Sequence, residues 1–440
     1  MEFKVKTLTP LWTGSVVSSH MDRIHETNIV GSLRWWYEAI LRGLGVNVCN
    51  PTSGNPKERC SRENGLCEAC IFFGATGWQR QFRIRLKGGE ALLGSGRTDL
   101  IPFPSGRIHE RKGHYYAGRW FLVGGSMTGN NISMQFVPLG KQDLSCLRLV
   151  MALIDRHATI GGKVSNGYGV LMVRENAQPL AVEEALNNIR SLKREANRDS
   201  MLPDLRDFFF AKLRFKAPKD NSEWWKKISG IDLAVSGEVV NGNLKVNLYD
   251  NNDNENNEKS KSVEQNLSMI VNKGLLPLAP AIRNYLRYLW DSTLTPSEKN
   301  YLFGTTETVC PHCCSSWIER NKYDKRSYWC KNCQSSLPRG QEWERIASKI
   351  NVSHAYRLES GEWEFRIWGW VPSQMPLEIG FNRDKFLNSL QDALKDTSTW
   401  SEVSMPVPQL EEWHTMDSAK KDGFEYLREL LESDKKEGGA

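Results

Sequence analysis

Ile160-Gly161-Gly162-Lys163-Val164-Ser165-Asn166-Gly167-Tyr168-Gly169-Val170 is the stretch on which the reading of this chain turns. Its four glycines free the backbone to take positive φ and to bring N–H groups close to another molecule. Successive N–H groups in such a turn form a concave anion site, to which Lys163 adds a mobile positive charge. Ser165, Asn166 and Tyr168 complete a surface suited to a phosphodiester chain. The same glycines equally suit a tight connection that only has to turn the chain.

Working outward, Ile132–Val137 alternates as a strand, and residues 143–157 carry Leu144, Leu147, Val150, Met151 and Ile154 on one helical face. The loop therefore follows a helix C-terminus, whose dipole repels anions, and feeds a strand over Tyr168–Val173. Nucleotide-binding loops precede a helix instead, so this order argues against an NTPase. Any phosphate held here depends on the loop's own N–H groups and on Lys163.

The chain reads as one unit written twice. A strand at Phe3–Leu8 leads to a helix over Gly31–Arg42, with Ser32 as its N-cap, then to Phe72-Phe73-Gly74 and a strand with Phe82-Arg83-Ile84. A strand at Phe208–Phe215 leads to a helix over Pro280–Leu289, then to Leu302-Phe303-Gly304 and a strand with Phe365-Arg366-Ile367. Leu33-Arg34 matches Ile282-Arg283, in the same order, which argues for a duplication. Strand, helix, strand, then further strands and a helix, suits an α+β fold of two tandem ferredoxin-like (RRM-like) domains. The boundary falls near residue 200, giving domains 1–200 and 201–440, with a connecting helix at 180–197. Asp250–Lys261 is too polar to bury surface and reads as a disordered loop, and the tail after Asp417 as a charged helix.

A chain of 440 residues is long enough for two cores, and 40% hydrophobic with 25% charged residues is ordinary globular composition. The N-terminus lacks the apolar segment of a signal peptide, and no run approaches the roughly 20 apolar residues of a membrane span, so a soluble cytoplasmic protein is expected. Net charge is +6 and uneven: residues 1–200 hold 26 Lys+Arg against 17 Asp+Glu, and the rest 32 against 35. A basic first half suggests an anionic polymer there and protein neighbours on the second half.

Ten cysteines, several in CxxC spacing, favour reduced thiolates on metal over disulfides. Cys310-x2-Cys313 and Cys330-x2-Cys333 have zinc-ribbon spacing, and four closed ligands make the zinc structural. This ribbon, near residues 305–340, sits as an insertion in the second copy. His312 and Cys314 are spare and able to replace a neighbour. Cys49, Cys60, Cys67 and Cys70 occupy the corresponding gap of the first copy, as a second zinc site or as buried free thiols. Cys146 lies on a helix's apolar face and reads as core.

Two more regions suit RNA. Along Trp78–Lys87, Phe82, Ile84 and Leu86 point one way and Arg83, Arg85 and Lys87 the other, a basic strand face for phosphates or for water. Arg107–Trp120 interleaves Arg111, Lys112 and Arg119 with His109, His114, Tyr115 and Tyr116, which suits a single strand or a subunit interface. Metal-free RNA cleavage needs a base and an acid. Asp22, between His20 and His25, and Asp155 with His157 are the candidates, although a lone Asp or His is more often a cap or surface contact.

With these pieces in place the chain resembles the RAMP proteins of CRISPR systems, and among them the first-numbered, two-domain subunit of the type III-B Cmr effector complex. The residues that carry the resemblance are Leu8-Thr9-Pro10-Leu11-Trp12-Thr13-Gly14, Gly31–Glu38, Phe73-Gly74-Ala75-Thr76-Gly77-Trp78 and the loop Gly161–Gly169. Ser353-His354-Ala355 and Arg366-Ile367-Trp368-Gly369-Trp370 extend it to about residue 372. The resemblance implies a subunit that caps an RNA-guided complex near the 3′ end of the guide RNA, beside other RAMP subunits, binding guide or target RNA without cutting it. Arg34, Lys163 and Tyr168 would touch RNA, with Gly161, Gly162, Gly167 and Gly169 shaping the approach. The alternative is a RAMP-type endoribonuclease acting on guide precursor or target. Two departures stand out: Val164, Ser165 and Asn166 replace the arginines common in that loop, and the second copy has no Gly-rich loop.

Overall fold

The computed structural model describes residues 1–14, 21–53, 59–63, 65–94, 99–111, 114–141, 143–174, 183–192, 202–241, 244–248, 253–290, 293–305, 307–310, 312–316, 318–320, 327–338, 346–372, 381–417 and 421–432. The first half begins with β1 (Glu2–Thr7), α1 (Glu26–Gly43), the short α2 (Glu68–Phe73), β2 (Phe82–Lys87) and β3 (Glu90–Ala91). A long hairpin follows, β4 (Leu100–Arg111) and β5 (His114–Val123), then β6 (Met127–Thr128) and β7 (Ile132–Pro138). α3 (Ser145–His157), β8 (Leu171–Arg174) and α4 (Glu183–Arg190) complete it. The main sheet has the order β2-β7-β1-β8, with every neighbouring pair antiparallel. Alternate residues Phe3 and Val5, Phe82 and Ile84, and Ile132, Met134 and Phe136 are buried, as a strand period of two requires.

The second half opens on β9 (Phe208–Phe215), α5 (Ile231–Ser236), the hairpin β10 (Glu238–Asn241) and β11 (Leu244–Asn247), and α6 (Asp253–Asn272). β12 (Leu275–Leu276), α7 (Ala279–Leu289) and α8 (Pro296–Phe303) lead to a separate antiparallel sheet of β13 (Ile318–Arg320), β14 (Ser327–Cys330) and β15 (Ser336–Pro338). β16 (Ile350–Val352), β17 (Ala355–Arg357), β18 (Trp363–Trp370), α9 (Arg383–Lys395), α10 (Thr397–Glu402), β19 (Gln409–Thr415) and α11 (Gly423–Glu432) follow. Here the order is β12-β17-β18-β9-β19, with β16 also on β18. The core β17-β18-β9-β19 repeats the connectivity of β2-β7-β1-β8, so the molecule is α+β with one strand order used twice.

Of the repeated residues, Phe82-Arg83-Ile84 lies on the edge strand β2 and Phe365-Arg366-Ile367 on the inner strand β18, which are not equivalent in the two sheets. The arginines do the same work in both halves. Arg34 Nη1 donates to the Gly74 carbonyl at the end of α2, at 2.7 Å. Arg283 Nη2 donates to the Phe303 carbonyl and Arg287 Nη1 to that of Gly304, both at 2.5 Å, at the end of α8. A helix C-terminus leaves carbonyls without partners, and an arginine from the neighbouring helix supplies them.

Four expectations are corrected. α1 starts at Glu26, because Ile29 and Val30 extend its buried face upstream. Ser32 is therefore no N-cap: its hydroxyl donates to the Asn28 carbonyl at 3.1 Å and accepts the Gly161 N–H at 2.9 Å. Most of Asp250–Lys261 lies in α6, whose later turns bury Leu267, Ile270 and Val271. The tail helix α11 is amphipathic, burying Phe424, Tyr426, Leu427, Leu430 and Leu431. The expected boundary near residue 200 and the last eight residues lie outside the described residues.

One apolar cluster runs from Phe3 to Leu431 through both halves. At its centre Trp36 of α1 packs against Phe208, Trp368 and Trp370 of the second sheet, with ring centroids 5.8, 5.5 and 5.3 Å away. Among the described residues no helix is long and apolar enough to cross a membrane.

Candidate nucleic-acid interface

The Gly-rich loop docks on the second half of the chain. Lys163 and Gly167, both left-handed at φ 56° and 97°, bracket a 3-10 turn over Val164–Asn166. Gly167 sits so close to α7 and the residue before β17 that a Cβ would lie 2.6 Å from Ala279 Cβ and 2.7 Å from His354 Nδ1. Its carbonyl accepts the His354 N–H at 3.1 Å.

The anion cradle expected of the loop's N–H groups is corrected by their partners. Gly161 N–H goes to Ser32 Oγ, Gly162 N–H to the Trp12 carbonyl and Gly169 N–H to the Pro10 carbonyl. Asn166 and Gly167 donate within the turn, to Lys163 and Val164. These glycines permit close approach to protein. Tyr168 is likewise not an RNA contact: it is fully buried, and its hydroxyl accepts the Val123 N–H at 2.8 Å.

The half-buried part of the loop lines a cleft of about 450 Å³ between the halves. Lys163, Ser165 and Asn166 form one wall, Arg119 and Trp120 of β5 a second, and Arg283 and Arg287 of α7 a third. The cation centre of Arg283 stacks 4.4 Å from the Trp120 ring centroid, and Lys163 Nζ lies 4.0 Å from that of Trp12. Asn284 Nδ2 donates to the Pro104 carbonyl at 3.0 Å and pins α7 to the hairpin. Partial burial lowers the pKa of Lys163. Four cations and an indole thus meet where no described lining residue is acidic.

Arg34 is spent inside the fold. Its Nε bonds Glu38 at 2.7 Å, Nη1 caps α2, and Nη2 points at Cys70 Sγ at 3.1 Å. Arg83 and Arg85 lie on the solvent face of β2, outside the cleft. Beside Arg85 and Lys87 a shallow groove also contains Lys4, paired with Glu2 at 2.6 Å, so that face is mixed in charge. Of the hairpin, the side chains of His109, Arg111, Lys112, His114 and Tyr116 lie outside the described residues. Reading residues alone missed Arg283 and Arg287, although the repeat pointed to them: Arg283 matches Arg34, and Arg287 is one turn further on.

Both cysteine sets come together, with ligand atoms within 4.8 Å of one another. In the second copy, Cys310 and Cys333 sulfurs are 3.7 Å apart, and those of Cys313 and Cys330 3.4 Å. A tetrahedral site with Zn–S of about 2.3 Å has sulfur–sulfur edges of roughly 3.8 Å, so the set fits zinc. The two turns match: Cys310 N–H donates to the Ser315 carbonyl and Cys330 N–H to that of Ser335. The residues after each pair, Cys314 and Gln334, are both left-handed. Cys314 itself packs into the main core, where burial pushes its thiol up to about 12, so it is not a ligand candidate. In the first copy, Cys49 Sγ lies 3.4 Å from Cys70 and 3.8 Å from Cys67, and the Cys67 N–H points at Cys60 Sγ at 3.3 Å.

The base and acid candidates are dispersed. Asp22 is exposed and pairs with His25 at 3.0 Å, while His20 lies outside the described residues. Asp155 accepts the Val173 N–H at 2.7 Å. His157 is fully buried, and burial holds its pKa well below the usual histidine range. None of them lines the cleft.

A sequence profile of the RAMP superfamily matches residues 4–172. Among solved structures, Cmr1 from Pyrococcus furiosus in its apo form aligns with 85% of this chain and 88% of its own, at 11% identity and a TM-score of 0.35. A chain of the type III-B Cmr-beta complex bound to cognate target RNA and AMPPnP, in the presence of ssDNA, aligns with 84% and 94%, at 11% identity and a TM-score of 0.34. No curated protein matches in sequence. Residues 4–172, which match the RAMP superfamily, hold most of the first sheet, both walls it gives the cleft and the Gly-rich loop.

Proposed function

We propose that this chain is a non-catalytic RNA-binding subunit of a type III-B CRISPR (Cmr) effector complex, capping the assembly near the 3′ end of the guide RNA beside other RAMP subunits. The observation that carries the reading is the cleft, in which Lys163, Arg119, Arg283 and Arg287 converge beside Trp120. Cations for phosphates and a ring for a base are what hold single-stranded RNA. The RAMP match and the motif residues from Leu8 to Gly169 support the choice of complex. We read each half as a ferredoxin-like unit, on the strength of the strand order that recurs in both sheets. Each cysteine tetrad is read as a structural zinc site, the second as a zinc ribbon inserted after α8.

The salt dependence of binding to a labelled single-stranded guide RNA tests this. Lys163→Gln and Arg119→Gln are each expected to lower the slope of log affinity against log salt by about 0.7, the value of one phosphate contact on a single strand. An unchanged slope in both variants would overturn the cleft as the RNA site. Metal-free incubation with guide precursor or target RNA is expected to yield no product. Product that disappears on Asp22→Ala would favour the endoribonuclease reading.

A further inference from the structure

A third donor set lies at the seam between the halves, apart from cleft and cysteines. His157 is the last residue of α3, four residues ahead of Gly161, and faces Glu412 and His414 on β19. Glu412 Oε2 lies 3.9 Å from His157 Nδ1 and 3.6 Å from His414 Nε2. These separations exceed the 2.7–3.2 Å of a hydrogen bond. Buried polar atoms are normally paired, yet Glu412 Oε2 and His414 Nε2 have no hydrogen-bond partner.

We propose that His157 Nδ1, His414 Nε2 and Glu412 Oε2 bind a divalent first-row metal ion of the zinc class, which clamps α3 to β19. Two imidazoles and one carboxylate are a ligand set such ions accept, and bonds of about 2.0–2.2 Å give ligand–ligand edges of roughly 3.3 Å. The two imidazole–carboxylate edges, 3.9 and 3.6 Å, need to close by about 0.3–0.6 Å to reach that geometry, and all three atoms lie within 4.8 Å of one another. The far nitrogen of each ring is already oriented, as it is for metal-bound histidines. His157 Nε2 meets the Leu430 carbonyl, and His414 Nδ1 faces Glu429 Oε1 at 3.4 Å. Lys212 contacts the other oxygen of Glu412, Oε1, and leaves Oε2 to the imidazoles. Because the Gly-rich loop departs from His157, an ion here fixes the loop's starting point against the second half.

The test is zinc content of the full-length protein after zinc loading and desalting, by plasma mass spectrometry, together with the rise in melting temperature on zinc addition. His414→Gln and Glu412→Gln are each expected to hold one zinc fewer per chain than the parent, with both cysteine sets intact, and to lose part of the melting shift. His414→Gln is the safer variant for folding, since it leaves the Lys212–Glu412 ion pair in place. Equal zinc content in the parent and both variants, with native circular dichroism, would overturn the site and leave the trio a polar contact between halves.

Discussion

Gly167 has no room for a side chain, because the space a Cβ would fill is occupied by Ala279 and His354. Its φ of 97° adds strain for any other residue. Gly167→Ala is expected to destabilise the protein by about 2–4 kcal/mol, measured by urea unfolding. His354 gives the same contact a pH dependence. Burial lowers its pKa from 6.5 to about 3, so it folds neutral and the unfolded chain binds the extra proton between those values. Stability is therefore complete above about pH 6.5 and falls as pH drops toward 3, by at most about 1.4 kcal/mol per pH unit from this group. His157, also depressed by burial, acts in the same direction. Unfolding curves at pH 7.5 and 5 are expected to differ less in His354→Gln than in the parent. That these glycines serve the protein could not be read from their own sequence, since positive φ suits close approach to RNA and to protein alike.

Elements show how far local pattern reached. The strands with alternating apolar residues, β2 and β7, and the largely buried β9 lie where the sequence pattern put them, because side-chain period and burial are the same fact in a sheet. α6 was misread because its polar first turns give no apolar stripe, and helix continuation comes from the turns that follow. The two cysteine turns were legible from spacing alone, which sets the bite of a CxxC pair. Cys313→Ser is expected to remove one zinc per chain and to raise hydrogen exchange in β13–β15, while β9 and β18 keep their protection. Cys70→Ser is expected to remove one zinc from the first copy and to leave Arg34 Nη2 without its sulfur partner.

At the scale of the molecule, the halves share one apolar interior, and Trp36 joins them. Trp36→Ala removes an indole packed on four rings and is expected to cost about 3–5 kcal/mol. The parent is expected to unfold in one transition, with tryptophan fluorescence and far-ultraviolet circular dichroism coincident; two separated transitions in the parent would show that the halves are independent. The amino-acid order by itself determined most strands, the amphipathic helices α1, α3 and α7, the spacing of both cysteine sets and the RAMP likeness of residues 4–172, because each is a pattern over neighbouring residues. Only the tertiary structure decided which cations reach the cleft. Arg34 and Arg283 hold matching positions and each caps a helix end, yet Arg34 also pairs with Glu38 and Cys70 while Arg283 stacks on Trp120 at the cleft. That difference comes from what packs over each helix, and residues distant in the chain supply the packing.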